Sequence, residues 1–300
     1  MRFIAEFVMR GRLQAIGVCL FGVLVPMMYW LTNAAVSLVI LRKGVREGLF
    51  TLLWSCLPIV VLMFVYEESI PMVILMGILL GSALLAGVLR QTQSWEATLA
   101  VAVLIAGLGT FAFEFGASTL MSEIVDQYLR FLNDFRQQLN GGAIGSGNTA
   151  LAVMPTPAEA HELLFGSIAL CFAYSMVLFL MLGRWWQSEL YNQGGFGLEF
   201  QNLRLSHGFS VVLIMGLVLT SGLDNLVRWI YLLTMPLFLA AIGFVHWIVK
   251  KKELSSRWLT IFYLMMIFMF QLLAPVLITV ALIDSWFDLR KRIKIDREVE

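Results

Sequence analysis

Ionisable side chains are scarce in this sequence, and those at the ends of long apolar runs are where chemistry could be done. Glu114 closes the run Gly109-Thr110-Phe111-Ala112-Phe113-Glu114-Phe115-Gly116. Burying a carboxylate in hydrocarbon is costly, so Glu114 either meets a ligand or ion, or reaches interfacial water. Asp224, Asn225 and Arg228 make a short polar turn between two apolar runs, where an Asp also serves as an ordinary helix cap. Asn33 and Gln271 are mid-segment amides, each near a proline; they can satisfy backbone groups that a helix break frees, or hydrogen-bond a substrate. Trp30, Asn33, Tyr66, Glu114, Asp224 and Arg228 are therefore the candidate lining of a small-molecule pocket.

Bond-making motifs are missing. His161, His207 and His246 are far apart in sequence. His161-Glu162 opens like a zinc-protease helix, but Phe165 occupies the place of the second histidine. There is no Gly-x-Ser-x-Gly elbow, no paired acidic prenyl-diphosphate motif and no phosphate-cradling loop. Cys19, Cys56 and Cys171 fall inside apolar runs, without the paired spacing of a disulfide framework or zinc site. The expectation is a protein that is not an enzyme and uses no metal or cofactor. A net charge of +1 gives no basic field for nucleic acid.

The elements that must position these residues follow from composition. Of 300 residues, 60% are hydrophobic and 14% charged, with a mean hydropathy of +0.84. Soluble domains carry about 25% charged residues, so lipid must solvate most of this surface. The predicted fold is an all-α, polytopic integral membrane bundle forming a single transmembrane domain over 1–300. Spans need about 20 apolar residues. Six segments fit, at 48–65, 70–90, 97–116, 162–182, 206–222 and 229–249. Two more, 13–41 and 258–286, are too long for one upright helix, and each has a proline near its middle, Pro26 and Pro275. Each of these is expected to be kinked, or broken into two short helices.

Loop charge orients the eight apolar segments. One side collects Arg42, Lys43, Arg46, Arg90, Arg184, Arg204, Lys250, Lys251, Lys252 and Arg257; the other holds Arg130, Arg136 and Arg228 among acidic residues. Basic loops stay cytoplasmic. Both termini are basic as well, so both belong on that side if the first and last segments turn back at their prolines. Residues 118–139 have helical apolar spacing with a polar opposite face, predicting an outer amphipathic helix. Residues 140–160 read as a flexible Gly/Ser/Ala linker on the same side.

Small residues mark packing faces: Gly77, Gly81 and Gly87 in one span, Ala112 and Gly116 in the next. They allow close helix approach in lipid, within the chain or with a partner subunit. The inside segment 183–205 reads as an interfacial loop, with Arg184, Trp185, Trp186, Tyr191, Asn192, Gly194, Gly195, Phe196, Glu199 and Arg204 as its distinctive residues. Its aromatic residues suit the headgroup level. It serves either to return the chain to the membrane or to dock a partner.

In Ala5-Glu6-Phe7 to Met9-Arg10-Gly11-Arg12, in Leu41-Arg42-Lys43-Gly44 and in the Arg184 to Leu205 segment, the chain resembles the YybS-like family of bacterial membrane proteins, in its proteobacterial form. The similarity runs along the whole chain. Gln193 stands where the family pattern has proline, and Ser206-His207 also departs from it. The family looks distantly like the substrate-binding subunits of energy-coupling-factor vitamin importers. The resemblance implies a bacterial inner-membrane bundle that binds an unidentified small molecule and docks a partner through small-residue helices. The alternatives are a structural or regulatory protein docking partners through its inner loop and amphipathic helix, and a secondary transporter built on inverted repeats. In each case membrane lipids are partners.

Overall fold

A computed structural model describes residues 1–25, 27–66, 70–141, 154–221 and 228–293, and every regular element among them is a helix. In chain order these are α1 (Arg2–Arg10), α2 (Arg12–Leu24), α3 (Tyr29–Lys43), α4 (Val45–Val65), α5 (Ile70–Thr92), α6 (Trp95–Gly116), α7 (Ser118–Gly141), α8 (Pro157–Tyr191), α9 (Gly195–Gln201), α10 (His207–Ser221), α11 (Ile230–Lys251), α12 (Arg257–Phe287) and α13 (Leu289–Arg292). Six of them, α4, α5, α6, α8, α11 and α12, are long and apolar enough to cross a membrane; α2 and α10 are shorter apolar helices. The chain is an all-α, multi-pass membrane protein.

The axis of the bundle is α3, whose residues 31–41 are all buried. It packs against α2, α4, α5 and α8. Lipid tails are as apolar as leucine, so helices associate here by close fit rather than by hydrophobic drive. Gly183 of α8 shows how close: a Cβ there would sit 2.8 Å from Ser37 Cβ and 2.9 Å from the Ala34 carbonyl. Gly77 and Gly81 similarly seat Phe172 and Met176 of α8. A Cβ on Gly87 or Gly116 would meet nothing within 4 Å, and Ala112 is exposed. The small-residue stripe therefore splits, its first two glycines packing within the chain and the rest making no comparable contact.

The first long segment becomes a helical hairpin. α2 stops at Leu24 and α3 starts at Tyr29, with Met27 at φ +66° between them; Pro26 lies outside the described residues. The Thr32 hydroxyl donates to the Cys19 carbonyl at 2.8 Å. Arg12, opening α2, pairs with Glu47 beyond the end of α3, so the two helices run antiparallel. Asn33 donates to the Tyr29 carbonyl (3.0 Å) and accepts from Ser82 Oγ of α5 (2.8 Å). The amide thus ties the helix start beside the interruption to the next span.

The last segment bends away from its proline. Helix α12 continues through Pro275, and its non-helical residue is Met269 (φ −125°, ψ 28°). Both arms return to one end of α11: Tyr263 Oη lies 2.8 Å from His246 Nε2, and the Arg290 guanidinium lies 5.6 Å from the Phe244 ring centre. A straight helix would separate residues 263 and 287 by roughly 36 Å, so α12 folds back on itself. Phe270, just past the bend, packs on Phe238 further along α11.

The helix ends gather into two faces. At the basic end, Arg90 donates to the Ile40 and Leu41 carbonyls, Arg42 lies over Tyr191, and Arg204 pairs with Asp288. At the opposite end are α7, the start of α8 and the approach to α11. Two expected boundaries move. The linker 140–160 gives way to helix at Pro157, where Thr156 and Glu159 cap α8 reciprocally, a signature available in the sequence. The 183–205 loop is mostly helical: α8 runs on to Tyr191, a turn with Gly194 at φ +80° follows, and α9 begins at Gly195.

Candidate functional site

At the α7 end, three helices bring four ionisable side chains together. Arg228, just before α11, places Nη1 3.1 Å from both carboxylate oxygens of Glu114 at the end of α6. Its Nε is 2.9 Å from Glu162 Oε2 on α8. His161 Nε2 lies 3.9 Å from Glu114, and its Nδ1 lies 3.8 Å from Glu162. The side chains are half-buried to buried, with 16% of Arg228, 20% of Glu162 and 26% of Glu114 exposed.

Local sequence explains the assembly. His161, Glu162 and Phe165 share one side of α8 because residues three and four apart are helical neighbours. Phe165, standing where a zinc helix needs its second histidine, instead stacks on His161 and lies 4.6 Å beneath the Arg228 guanidinium. Cation–aromatic contact of this kind holds a guanidinium in place. At the next residue, a Cβ on Gly166 would sit 2.5 Å from the Arg228 carbonyl, so only glycine lets the chain entering α11 lie against α8 here.

An apolar hollow of about 400 Å³ lies between α6, α10 and α11, on the cluster's side of these helices. Leu104, Gly107, Phe111, Thr220, Trp229 and Leu232 are among its walls. Trp229 follows Arg228 in the chain and packs edge-on against Phe165. Phe111 stands one helical turn before Glu114. Small-molecule sites are typically 300–1,000 Å³, mostly apolar, with a few placed polar groups. This hollow has that size and an apolar lining, and the charged cluster is its neighbour in the chain at both Phe111 and Trp229. Carboxylates, a guanidinium and an imidazole can exchange partners with a polar head group, while the hollow takes an apolar body. No group of three His, Cys, Asp or Glu side chains among the described residues is placed to hold a metal ion.

Of the six residues expected to line one pocket, the five that are described do not all converge. Glu114 and Arg228 meet. Asn33 is wholly buried in the core contact between α3 and α5. Trp30 packs against Trp186, with ring centres 6.4 Å apart, and Tyr66 is exposed at the end of α4. Asp224 lies outside the described residues. Sequence reasoning missed His161 and Glu162 as partners of this pair. Their spacing carried the signal, but it was weighed only as a zinc motif.

The segment 184–205 is pinned into the bundle at the basic end. Arg184 pairs with Glu199 through two nitrogens and also reaches Gln187. Trp95 Nε1 donates to Glu199 at 3.4 Å. Ser188 Oγ accepts from the Phe196 amide and donates to the Asn192 carbonyl, closing the turn. Trp186 is fully buried, Tyr191 lies 4.0 Å beneath Arg42, and Arg204 donates to the Asp284 and Ser285 carbonyls. Trp185, Phe196 and Phe200 line a shallow apolar hollow of about 320 Å³. Gly195 lies against the Asn192 side chain. No family model, curated protein or solved structure matches this chain.

Proposed function

We propose that this protein binds an amphiphilic small molecule within the membrane and passes it across or onward, in the manner of an importer's substrate-binding subunit. The observation that carries this reading is the apolar hollow beside the Glu114–Arg228–Glu162 cluster. A charged cluster is a poor way to stabilise a bundle, since buried ion pairs are often matched or bettered by apolar packing. Ionisable groups in membrane helices more commonly mark a ligand or ion path. The ligand's polar head would engage the cluster and its apolar body the hollow, with binding and movement of helices rather than bond chemistry as the task. The YybS-like resemblance points the same way. In this reading the protein sits in a bacterial inner membrane with eight apolar segments. Both termini belong on the cytoplasmic side, a reading that the α2–α3 hairpin and the bend of α12 support.

Native mass spectrometry of the protein released from gentle detergent tests this. The wild type is expected to carry a small molecule that Gly107→Leu, which fills the hollow, and Glu114→Gln, which breaks the cluster, both lose. A wild type without a bound molecule, or variants that keep it, would count against the reading.

The docking alternative draws on the hollow lined by Trp185, Phe196 and Phe200 at the basic end. There Trp185→Ala and Phe196→Ala would release a partner protein. Trp186, wholly enclosed, would act on stability alone.

A further inference from the structure

A second cavity, of about 200 Å³, lies at the basic end where α3, α5 and α8 finish and α6 begins. Unlike the hollow beside Arg228, its walls are mainly polar: Arg90, Gln93, Trp95, Arg184, Gln187 and Glu199. Arg184 is committed to Glu199 and Gln187. Arg90 is not committed in the same way. Its Nη1 donates to the Ile40 and Leu41 carbonyls at 3.1 and 2.6 Å, capping the end of α3. Its Nε and Nη2 meet no acceptor, and no carboxylate pairs with it, among the described residues. Two guanidiniums against one carboxylate leave the cavity with one positive charge in excess.

We propose that this cavity binds a phosphate group. A guanidinium fixed by two backbone carbonyls presents its remaining donors as a preformed fork, the geometry that suits phosphate oxygens. The Gln93 and Gln187 amides in the same walls each give one N–H to a backbone carbonyl, of Arg90 and Leu41, and keep a second for a further oxygen, while the Trp95 indole is spent on Glu199. Depth favours phosphate over other anions. The cavity is at span ends, where lipid phosphates lie, and basic pockets between membrane helices on the cytoplasmic side take anionic headgroups. The phosphate belongs either to a phospholipid or to a free phosphate compound from the aqueous side.

The test uses full-length protein in nanodiscs and reads its unfolding temperature. One arm titrates inorganic phosphate into phosphatidylcholine discs at constant ionic strength. The other compares those discs with discs containing one part phosphatidylglycerol to three of phosphatidylcholine. A ligand that binds only the folded state raises the unfolding temperature saturably, and a rise of a few degrees in at least one arm is expected. A rise with phosphatidylglycerol alone assigns the phosphate to lipid, and a rise with inorganic phosphate assigns it to a soluble source. Arg90→Gln is expected to abolish the rise. Because it also uncaps α3, Gln187→Glu serves as the second variant. It leaves Arg90 and its contacts to α3 in place, adds a negative charge to the cavity, and is expected to abolish the rise measured from the variant's own basal unfolding temperature. No rise in either arm, or a rise that Gln187→Glu retains, overturns the proposal.

Discussion

Asp288, the turn residue between α12 and α13, has φ +48° and ψ +62°, a left-handed conformation that favours glycine, asparagine and aspartate. Its carboxylate pairs with Lys291 and Arg204, each at 2.9 Å. The Lys291 hydrogen bond, joined by the charge of Arg204, holds the carboxyl below its usual range against partial desolvation. A depressed carboxyl favours the folded state above the unfolded value, about pH 4, and that contribution fades as pH falls through the folded value. Asp288→Asn, which keeps the backbone preference and removes the charge, should therefore flatten the loss of thermal stability on acidification from pH 6 to pH 3. A variant that tracks the wild type at every pH would remove the pair from the account. At this scale the sequence was partly legible. Glu114 and Arg228 stand out because charge is rare among apolar residues. Asn33 stands out equally, yet its amide is spent on Tyr29 and Ser82. A lone polar residue signals a need for partners, not which partners it has.

At the scale of elements, apolar run length located five of the six expected spans, α4, α5, α6, α8 and α11, since hydrocarbon thickness sets it. The expected span 206–222 is the shorter α10, and α12 is long and apolar enough to be the sixth. Run length could not say which span would be surrounded by protein, because a lipid-facing helix and a protein-facing helix are both apolar. Hence the central place of α3 was not foreseen, nor was Gly183, which stands outside any Gly-xxx-Gly repeat. Pro275 does not mark the bend of α12. Proline displaces the turn before it, and the non-helical residue is Met269, six positions ahead of Pro275. The packing account makes a paired prediction. Gly183→Ala would push a methyl into the backbone of α3 and cost about 1–3 kcal/mol, the range for overpacked cores. Gly87→Ala meets nothing within 4 Å and should be neutral or gain up to about 1 kcal/mol from helix propensity. Reversible unfolding in mixed micelles would compare the two, and equal effects would contradict the packing described for α3 and α8.

For the whole molecule, loop charge was the most informative signal, because it depends only on which residues lie beyond the spans. The basic residues Arg42, Arg90, Arg184, Arg204 and Arg290 do meet at one end through their contacts. What charge and periodicity do not give is position around the bundle axis, which is why Trp30, Asn33 and Tyr66 lie apart from the Glu114–Arg228 pair. In a background with Cys19, Cys56 and Cys171 replaced, an impermeant maleimide should label Arg2→Cys, Lys252→Cys and Arg292→Cys from one side of sealed vesicles, and Gln127→Cys from the other. Labelling of Arg292→Cys together with Gln127→Cys would mean that α12 crosses the membrane.

The most direct test of the binding function is a side-chain-resolution map of the protein in nanodiscs. The expected result is compact non-protein density in the hollow walled by Gly107, Trp229 and Leu232, with its polar end against Glu114, Glu162 and Arg228. A hollow closed by its own side chains, or filled only by acyl chains continuous with the surrounding lipid while the charged cluster stays shut, would contradict it.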